Sequence, residues 1–375
     1  MVTVRFLHTA DWQLGMTRYF LEGEAQARFT QARIDVIRRI ASLAVQEKCS
    51  FVVVSGDVFE SNHVARPVIV RALEAMAETP QVPFYLLPGN HDPLDASSVY
   101  KSRTFTEHRP ENVVVLEGSE ALFVDLGVEL IAAPWTSKRP LHDLVGSACE
   151  GLVPTDAVRV VVGHGPLDLP FQVGTDPRRI SLSALENNVD SKLIQYVALG
   201  DRHSKSEEGR TGRIWYSGAP EPTDFDEIDP GHVLIVTLTR EHIDVDERLV
   251  GTWRFIQKRW ELAGNADLDG LGEWLADLPD KECTVIRMDV VGQVSLAQNA
   301  RLGELLSHHS DLLAVLDGRT DNLVVVPDDL DIEHFGLSGF AERALHDLLE
   351  MASTGGSAAA GDALSLLYRL VRHNP

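Results

Sequence analysis

A chain of 375 residues, 44% of them hydrophobic, is long enough for two or three domains and for a sizeable buried core. Its formal charge of −22, with no Lys/Arg-rich stripe, excludes a protein that grips a polyanion through its own overall field. Three scattered cysteines, Cys49, Cys149 and Cys283, exclude a disulfide scaffold and a thiolate zinc site.

The N-terminal stretch MVTVRFLHTADWQLG has no apolar signal core, and no apolar run is long enough to cross a bilayer. The expectation is a cytoplasmic protein without a membrane segment. Short β-branched runs follow in order: Val2–Leu7, Phe51–Ser55, Phe84–Leu87, Val113–Leu116, Leu130–Ala133, Val158–Val162, Tyr196–Leu199, Ile214–Tyr216 and Val233–Leu238. Helical patterns separate several of them. Phe29–Gln46 sets Ile34, Ile37, Ile40, Leu43 and Ala44 on one face, and Val68–Ala77 repeats the theme. Strands alternating with helices predict an α/β fold with a covered sheet, and the short turns between later strands predict a second, partly antiparallel sheet.

A new unit is expected to begin near Val250. Trp253–Leu262 reads as a strand, Leu268–Leu278 as a helix and Thr284–Val291 as a half-buried strand. Ser295–Leu316 reads as one long helix and Asn322–Val326 as a strand, which makes a small α/β domain. In the tail, Phe340–Met351 and Ala363–Val371 read as amphipathic helices joined by the linker STGGSAAAG. That hairpin either packs on its own domain or docks a partner.

The polar residues cluster where the apolar runs end. Val4–Leu7 leads to Asp11 and Gln13, Phe51–Val54 to Asp57, and Phe84–Leu87 to Asn90 and His91. Val158–Val162 leads to His164, and Tyr196–Leu199 to Asp201 and His203. In four of the five, a glycine immediately precedes the first such residue and lets the backbone turn sharply over the sheet edge. Ligands of α/β sheets bind at these carboxyl ends. Any one of the pieces alone is an ordinary turn or a hydrogen-bonded histidine. Five in order point to a metal centre.

The segments HTADWQLGMTRYF, VVSGDVFESNHVARP, YLLPGNHDP, VALGDRHS and WYSGAPEPTDFDEIDPGHVLIVTL resemble the calcineurin-like metallophosphoesterases, and within them the bacterial SbcD-type nuclease subunits of DNA repair. The resemblance implies a four-layer α-β-β-α sandwich over residues 1–250, a capping, DNA-recognition domain over 251–335, and over 336–375 a helical hairpin that docks an ATPase. It implies two divalent cations, one held by Asp11, Gln13, Asp57 and His203, the other by Asp57, Asn90, His164 and Asp201, with Asp57 bridging. His91 would face the scissile phosphate, with Asp92 fixing its tautomer or capping the turn. Arg202 would touch a phosphate or remain solvated.

Gln13 and Asp201 stand where the family has histidine. Two oxygen donors in place of two imidazoles move the preference from zinc toward Mn²⁺, with Mg²⁺ or Fe²⁺ as alternatives. The implied reaction is two-metal hydrolysis of DNA ends as a 3′→5′ exonuclease, with endonuclease action also open. Expected partners are DNA, an SbcC-type coiled-coil ATPase and a second copy of the chain, paired through Phe20–Arg39 and Arg66–Ala77, whose apolar residues core packing explains equally well. The rival readings are a small-molecule or cyclic-nucleotide phosphodiesterase on the same fold and a non-catalytic metal-binding scaffold.

Overall fold

A computed structural model describes residues 2–168, 176–326 and 339–355, together with six positions between 359 and 367. It divides into two units, Met1–Trp253 and Arg254–Pro375.

Among the described residues the first unit carries twelve strands: β1 (Val4–Thr9), β2 (Val52–Val54), β3 (Phe84–Leu86), β4 (Val113–Val115), β5 (Leu122–Asp125), β6 (Val128–Ala132), β7 (Val158–His164), β8 (Tyr196–Gly200), β9 (Ser206–Glu208), β10 (Ile214–Tyr216), β11 (His232–Leu238) and β12 (Ile243–Leu249). Its helices are α1 (Gly23–Gln46), α2 (Arg66–Ala77), α3 (Arg103–His108), α4 (Leu144–Cys149) and α5 (Leu182–Asp190). One sheet has the order β12-β11-β1-β2-β3-β4 and the other β5-β6-β7-β8-β10-β9. Parallel pairing runs from β1 to β4 and from β6 to β8, so the carboxyl ends of these strands share an edge within each sheet.

Alternation along the strands sorts side chains into layers. On β1, Phe6 enters a core shared with Phe51, Tyr85, Val160 and Tyr196, which lies between the two sheets. Its neighbour Leu7 points the other way, into a core with Ile34 and Ile37 of α1 and Leu73 of α2. On β8, Ala198 joins the inter-sheet core, while Val197 and Leu199 pack with Val145 of α4 and Leu185 of α5. The result is the four-layer α-β-β-α arrangement. Phe6 stacks on Phe51 at 5.0 Å between ring centres and meets Tyr196 edge-on at 5.5 Å, so one residue pins both sheets.

The second unit has β13 (Arg254–Leu262), α6 (Asn265–Asp277), β14 (Thr284–Val294), α7 (Leu296–Ser310), β15 (Val315–Arg319), β16 (Leu323–Val325) and α8 (Phe340–Gly355). Its ladders among the described residues are all parallel. β14 pairs β13 along its length, β15 along Val285–Asp289 and β16 along Gly292–Val294. The expected long helix Ser295–Leu316 is shorter than its apolar pattern. It ends at Ser310, and the rest supplies β15, because pairing with β14 satisfies the backbone of Val315–Arg319 better than further helix. β5, β9 and β12, with their many exposed or charged side chains, lacked the apolar signal that marks a strand.

The tail helix α8 buries Leu345 against Leu296 and Ala300 of α7, with Leu364 in the same cluster. Most of the expected second tail helix, Ala363–Val371, and part of its linker lie outside the described residues. No described helix is long and apolar enough to cross a membrane.

Candidate metal centre

The two carboxyl edges meet in one place. Asp11 N donates to the Gly56 carbonyl at 3.0 Å and Gln13 N to the Asp57 carbonyl at 2.9 Å, which fastens the loop after β1 to the loop after β2. Across the sheets, Asp201 N donates to Asp11 Oδ2 at 3.1 Å, and His164 Nδ1 lies 2.9 Å from the Ser55 carbonyl. The backbone is strained here. Of eight described non-glycine residues with positive φ, four are Asp11, Gln13, Asp57 and Asp201. Such strain persists only where surrounding contacts over-determine it, and it gathers at functional sites.

Asp11, Asp57 and His164 each bring one donor atom to a common point, all within 4.8 Å of one another. All three are buried. His164 Nδ1 must donate its proton to the Ser55 carbonyl, because a carbonyl can only accept. Its Nε2 then faces only acceptors: Asn90 Oδ1 at 2.7 Å, Asp57 Oδ1 at 3.4 Å and Asp201 Oδ1 at 3.8 Å. His203 is fixed in a similar way. Its Nδ1 sits 3.0 Å from Glu227 Oε1 and 2.6 Å from Thr223 Oγ1, which leaves Nε2 toward the amide nitrogen of Gln13, at 3.1 Å, and Asp11 Oδ1, at 4.0 Å. A histidine fixed through one nitrogen, with the other turned into a cluster of carboxylates, is arranged as a metal ligand.

The electrostatics agree. Burial pushes Asp11 up to about 7 against the pull of His203 and His164. Burial also pushes Asp57 up, but His164 and His91 outweigh it and leave that carboxyl below its ordinary value. His164 is desolvated, yet Asp57, Asp11 and Asp201 raise it well above the ordinary imidazole range. Facing acceptors of this kind need a proton or a cation between them. Gln13 Oε1 is sealed from solvent and has no hydrogen-bond partner, an orphaned carbonyl oxygen on a side chain whose nitrogen meets His203. Oxygen-rich donors with two imidazoles suit a divalent cation. The residues present therefore fit the expected metal.

His91 stands at the rim with 39% of its side chain exposed. Its Nδ1 bonds the Glu60 carbonyl at 3.0 Å, and its Nε2 lies 3.9 Å from Asp57 Oδ2. The tautomer role considered for Asp92 falls to Glu60 instead. Asp92 accepts from Phe59 N at 2.9 Å, Gly89 N at 2.8 Å and Tyr100 Oη at 2.6 Å, which makes it the clasp that joins the Asp57 and Asn90 loops. Arg202 Nη1 pairs with Glu208 at 2.6 Å, so its charge is already met within the chain.

Glu227, Thr223 and Trp135 belong to the site but were not expected from sequence. Glu227 fixes His203, and the indole of Trp135 donates to the His164 carbonyl at 2.7 Å. A buried glutamate in a loop of acidic residues (TDFDEID) has no periodic signal, since only the fold brings it to His203. A buried histidine without a metal role lies just behind the centre. His8 bonds Tyr196 Oη at 3.0 Å and the Leu199 carbonyl at 3.2 Å, and burial lowers it to about 3. In the unfolded chain His8 takes up a proton below its ordinary value of 6.5, and in the folded chain only near 3. Stability is therefore full above that unfolded value and falls as pH drops through this window, by up to about 1.4 kcal/mol per unit for one such group. His8→Gln is expected to flatten the slope of unfolding free energy against pH between 6 and 4 in urea titrations, relative to wild type.

The fold and site are those of a metal-dependent phosphoesterase. Residues 4–236 match the family model described as calcineurin-like phosphoesterase, and the chain belongs to that family. It is 25% identical over 306 residues to the DNA double-strand break repair protein Mre11 of Methanosarcina acetivorans and 26% identical over 309 residues to that of Methanosarcina mazei. These alignments cover 77% and 78% of this chain and 46% of each relative, so the chain spans less than half their length. It is 24% identical over 341 residues to SbcD of the SbcCD nuclease of Bacillus subtilis, covering 80% of this chain and 82% of that relative.

Proposed function

We propose that this chain hydrolyses DNA phosphodiesters at strand ends, as a 3′→5′ exonuclease with some endonuclease action, in the repair of double-strand breaks. The observation that carries the reading is the buried cluster of Asp11, Asp57 and His164, whose donor atoms lie within 4.8 Å of one another, with Asn90 and Asp201 beside His164 and Gln13 beside His203. Asp11, Gln13, Asp57 and His203 would hold one cation, and Asp57, Asn90, His164 and Asp201 the other. The oxygen donors of Gln13 and Asp201 favour Mn²⁺. When bound, two cations screen the phosphate, lower the pKa of water and stabilise the leaving oxygen. His91, held through Nδ1, stands partly exposed at the rim with Nε2 3.9 Å from Asp57 Oδ2. It would act there on a phosphate oxygen or on the departing 3′-oxygen.

The relatives named as repair proteins and as part of a nuclease support the substrate class. The negative charge of the chain fits a division of labour, in which an SbcC-type ATPase docks at the tail helices and supplies basic DNA-binding surface. Residues 251–335 would act as the capping domain, and the chain would pair as a homodimer.

The test is cleavage of duplex DNA labelled at either end, beside cyclic nucleotides and bis(p-nitrophenyl) phosphate. The proposal expects manganese-dependent loss of 3′ label first, with no turnover of cyclic nucleotides. Turnover of cyclic nucleotides without DNA cleavage would favour the small-molecule reading. No turnover of any diester, even with the ATPase present, would favour the scaffold.

A further inference from the structure

Arg33, on α1, is 1% exposed, an unusual place for a guanidinium. No carboxylate lies within ion-pair distance of it among the described residues. Instead Nη1 donates to the Trp12 carbonyl at 2.7 Å and Nη2 to the Pro222 carbonyl at 2.7 Å, with the Phe29 ring 4.6 Å from its central carbon. Burial lowers its pKa to about 10, with Glu221 and Glu227 opposing, so the group stays charged at neutral pH. A buried cation without a paired carboxylate is costly, and an apolar side chain could fill the same space. What the guanidinium does, and an apolar chain could not, is join two carbonyls.

Those carbonyls belong to opposite arms of one half of the metal centre. Trp12 lies between Asp11 and Gln13. Pro222 precedes Thr223, which with Glu227 holds Nδ1 of His203. Arg18, a few residues beyond Gln13, adds a bond from Nε to the Thr223 carbonyl, so the first loop grips the second arm twice. The arms face each other across the 3.1 Å between Gln13 Nε2 and His203 Nε2. The other half of the centre is fastened differently: His164 by the Ser55 carbonyl and Trp135, and the Asn90 loop by Asp92.

We propose that Arg33 is a positioning residue for the half of the centre formed by Asp11, Gln13 and His203, and that it sets the gap between those ligands by locking the Asp11–Gln13 loop to the arm that carries Thr223 and Glu227. This rests on the two-cation reading. Arg33 touches no reacting atom and acts through the backbone of its two partners.

The test is manganese titration of the full chain by calorimetry, with electron paramagnetic resonance to separate the two ions, for wild type, Arg33→Lys and Arg33→Met. Wild type is expected to bind two ions. Arg33→Met should weaken one of them by about tenfold or more while the other keeps its affinity, a loss of the size that outer-shell partners produce. Arg33→Lys keeps the charge and one of the two bonds, and should fall between. In the metal-free protein the imidazole NMR signals of His203 should move while those of His164 stay. Equal weakening of both ions, or no change in either, would overturn the proposal. If Arg33→Met does not fold, Arg33→Lys carries the same test. Wild type that takes up no manganese would overturn the two-cation reading itself, and this inference with it. Two ions retained at full affinity in both variants would overturn the brace alone.

Discussion

Asp57→Ala is expected to lower hydrolysis of a simple phosphodiester by about a thousandfold or more, because losing the shared ligand removes several kcal/mol of charge stabilisation. A donor atom of Asp57 lies within 4.8 Å of one from Asp11 and one from His164, which belong to opposite halves of the site. Asp57 Oδ1 also accepts from His91 N at 3.0 Å, so it orders the loop after β3. The comparison that gives this result meaning is His91→Ala. His91 is partly exposed at the rim and is assigned to neither cation, so its loss should cost roughly 10²–10⁴ in turnover and leave cation uptake intact. Assay of bis(p-nitrophenyl) phosphate with a parallel manganese titration separates the two. Asp57→Ala must lose both properties, and His91→Ala only the first. Loss of cation uptake in His91→Ala would mean that the histidine has been assigned the wrong task.

Gly200→Ala is the second large effect, and it acts through packing. A Cβ there would overlap the Ser55 carbonyl oxygen and lie 2.7 Å from Ala10 Cβ and 2.9 Å from His164 Nδ1. The Ser55 carbonyl is the acceptor that fixes His164, so the methyl would push apart the edges that the site needs together. Overpacking of this kind costs about 1–3 kcal/mol, and more where backbone must move, as here. Urea unfolding should show a loss of about 3 kcal/mol, and cation uptake should fall with it. Gly151→Ala is the control, since it has φ +73 and nothing within 4 Å of an added Cβ. It should cost only the roughly 1–2 kcal/mol of left-handed strain and spare the site.

These two variants mark what was legible in the sequence. The candidate ligands were readable because each follows an apolar run, and a glycine before most of them announces the turn. The fold was readable where apolar runs are strong, as in Phe51–Val54 or Tyr196–Leu199. It was not readable where polarity hid a strand, as in Ile243–Leu249, or where an apolar helical period ran on into β15. The outer contacts were illegible for a different reason. Glu227 reaches His203 from 24 residues away and Ser55 reaches His164 from 109, and no local pattern encodes such pairs. Asp92 shows the remaining limit. Its place beside His91 suggested a partner for that ring, whereas its oxygens close the loops around Gly89 and Phe59.

The most direct measurement of the central claim is anomalous diffraction from crystals grown with manganese. Two anomalous peaks are expected on either side of Asp57, one toward Asp11, Gln13 and His203 and the other toward Asn90, His164 and Asp201. A single peak, or manganese bound away from Asp57, would contradict it.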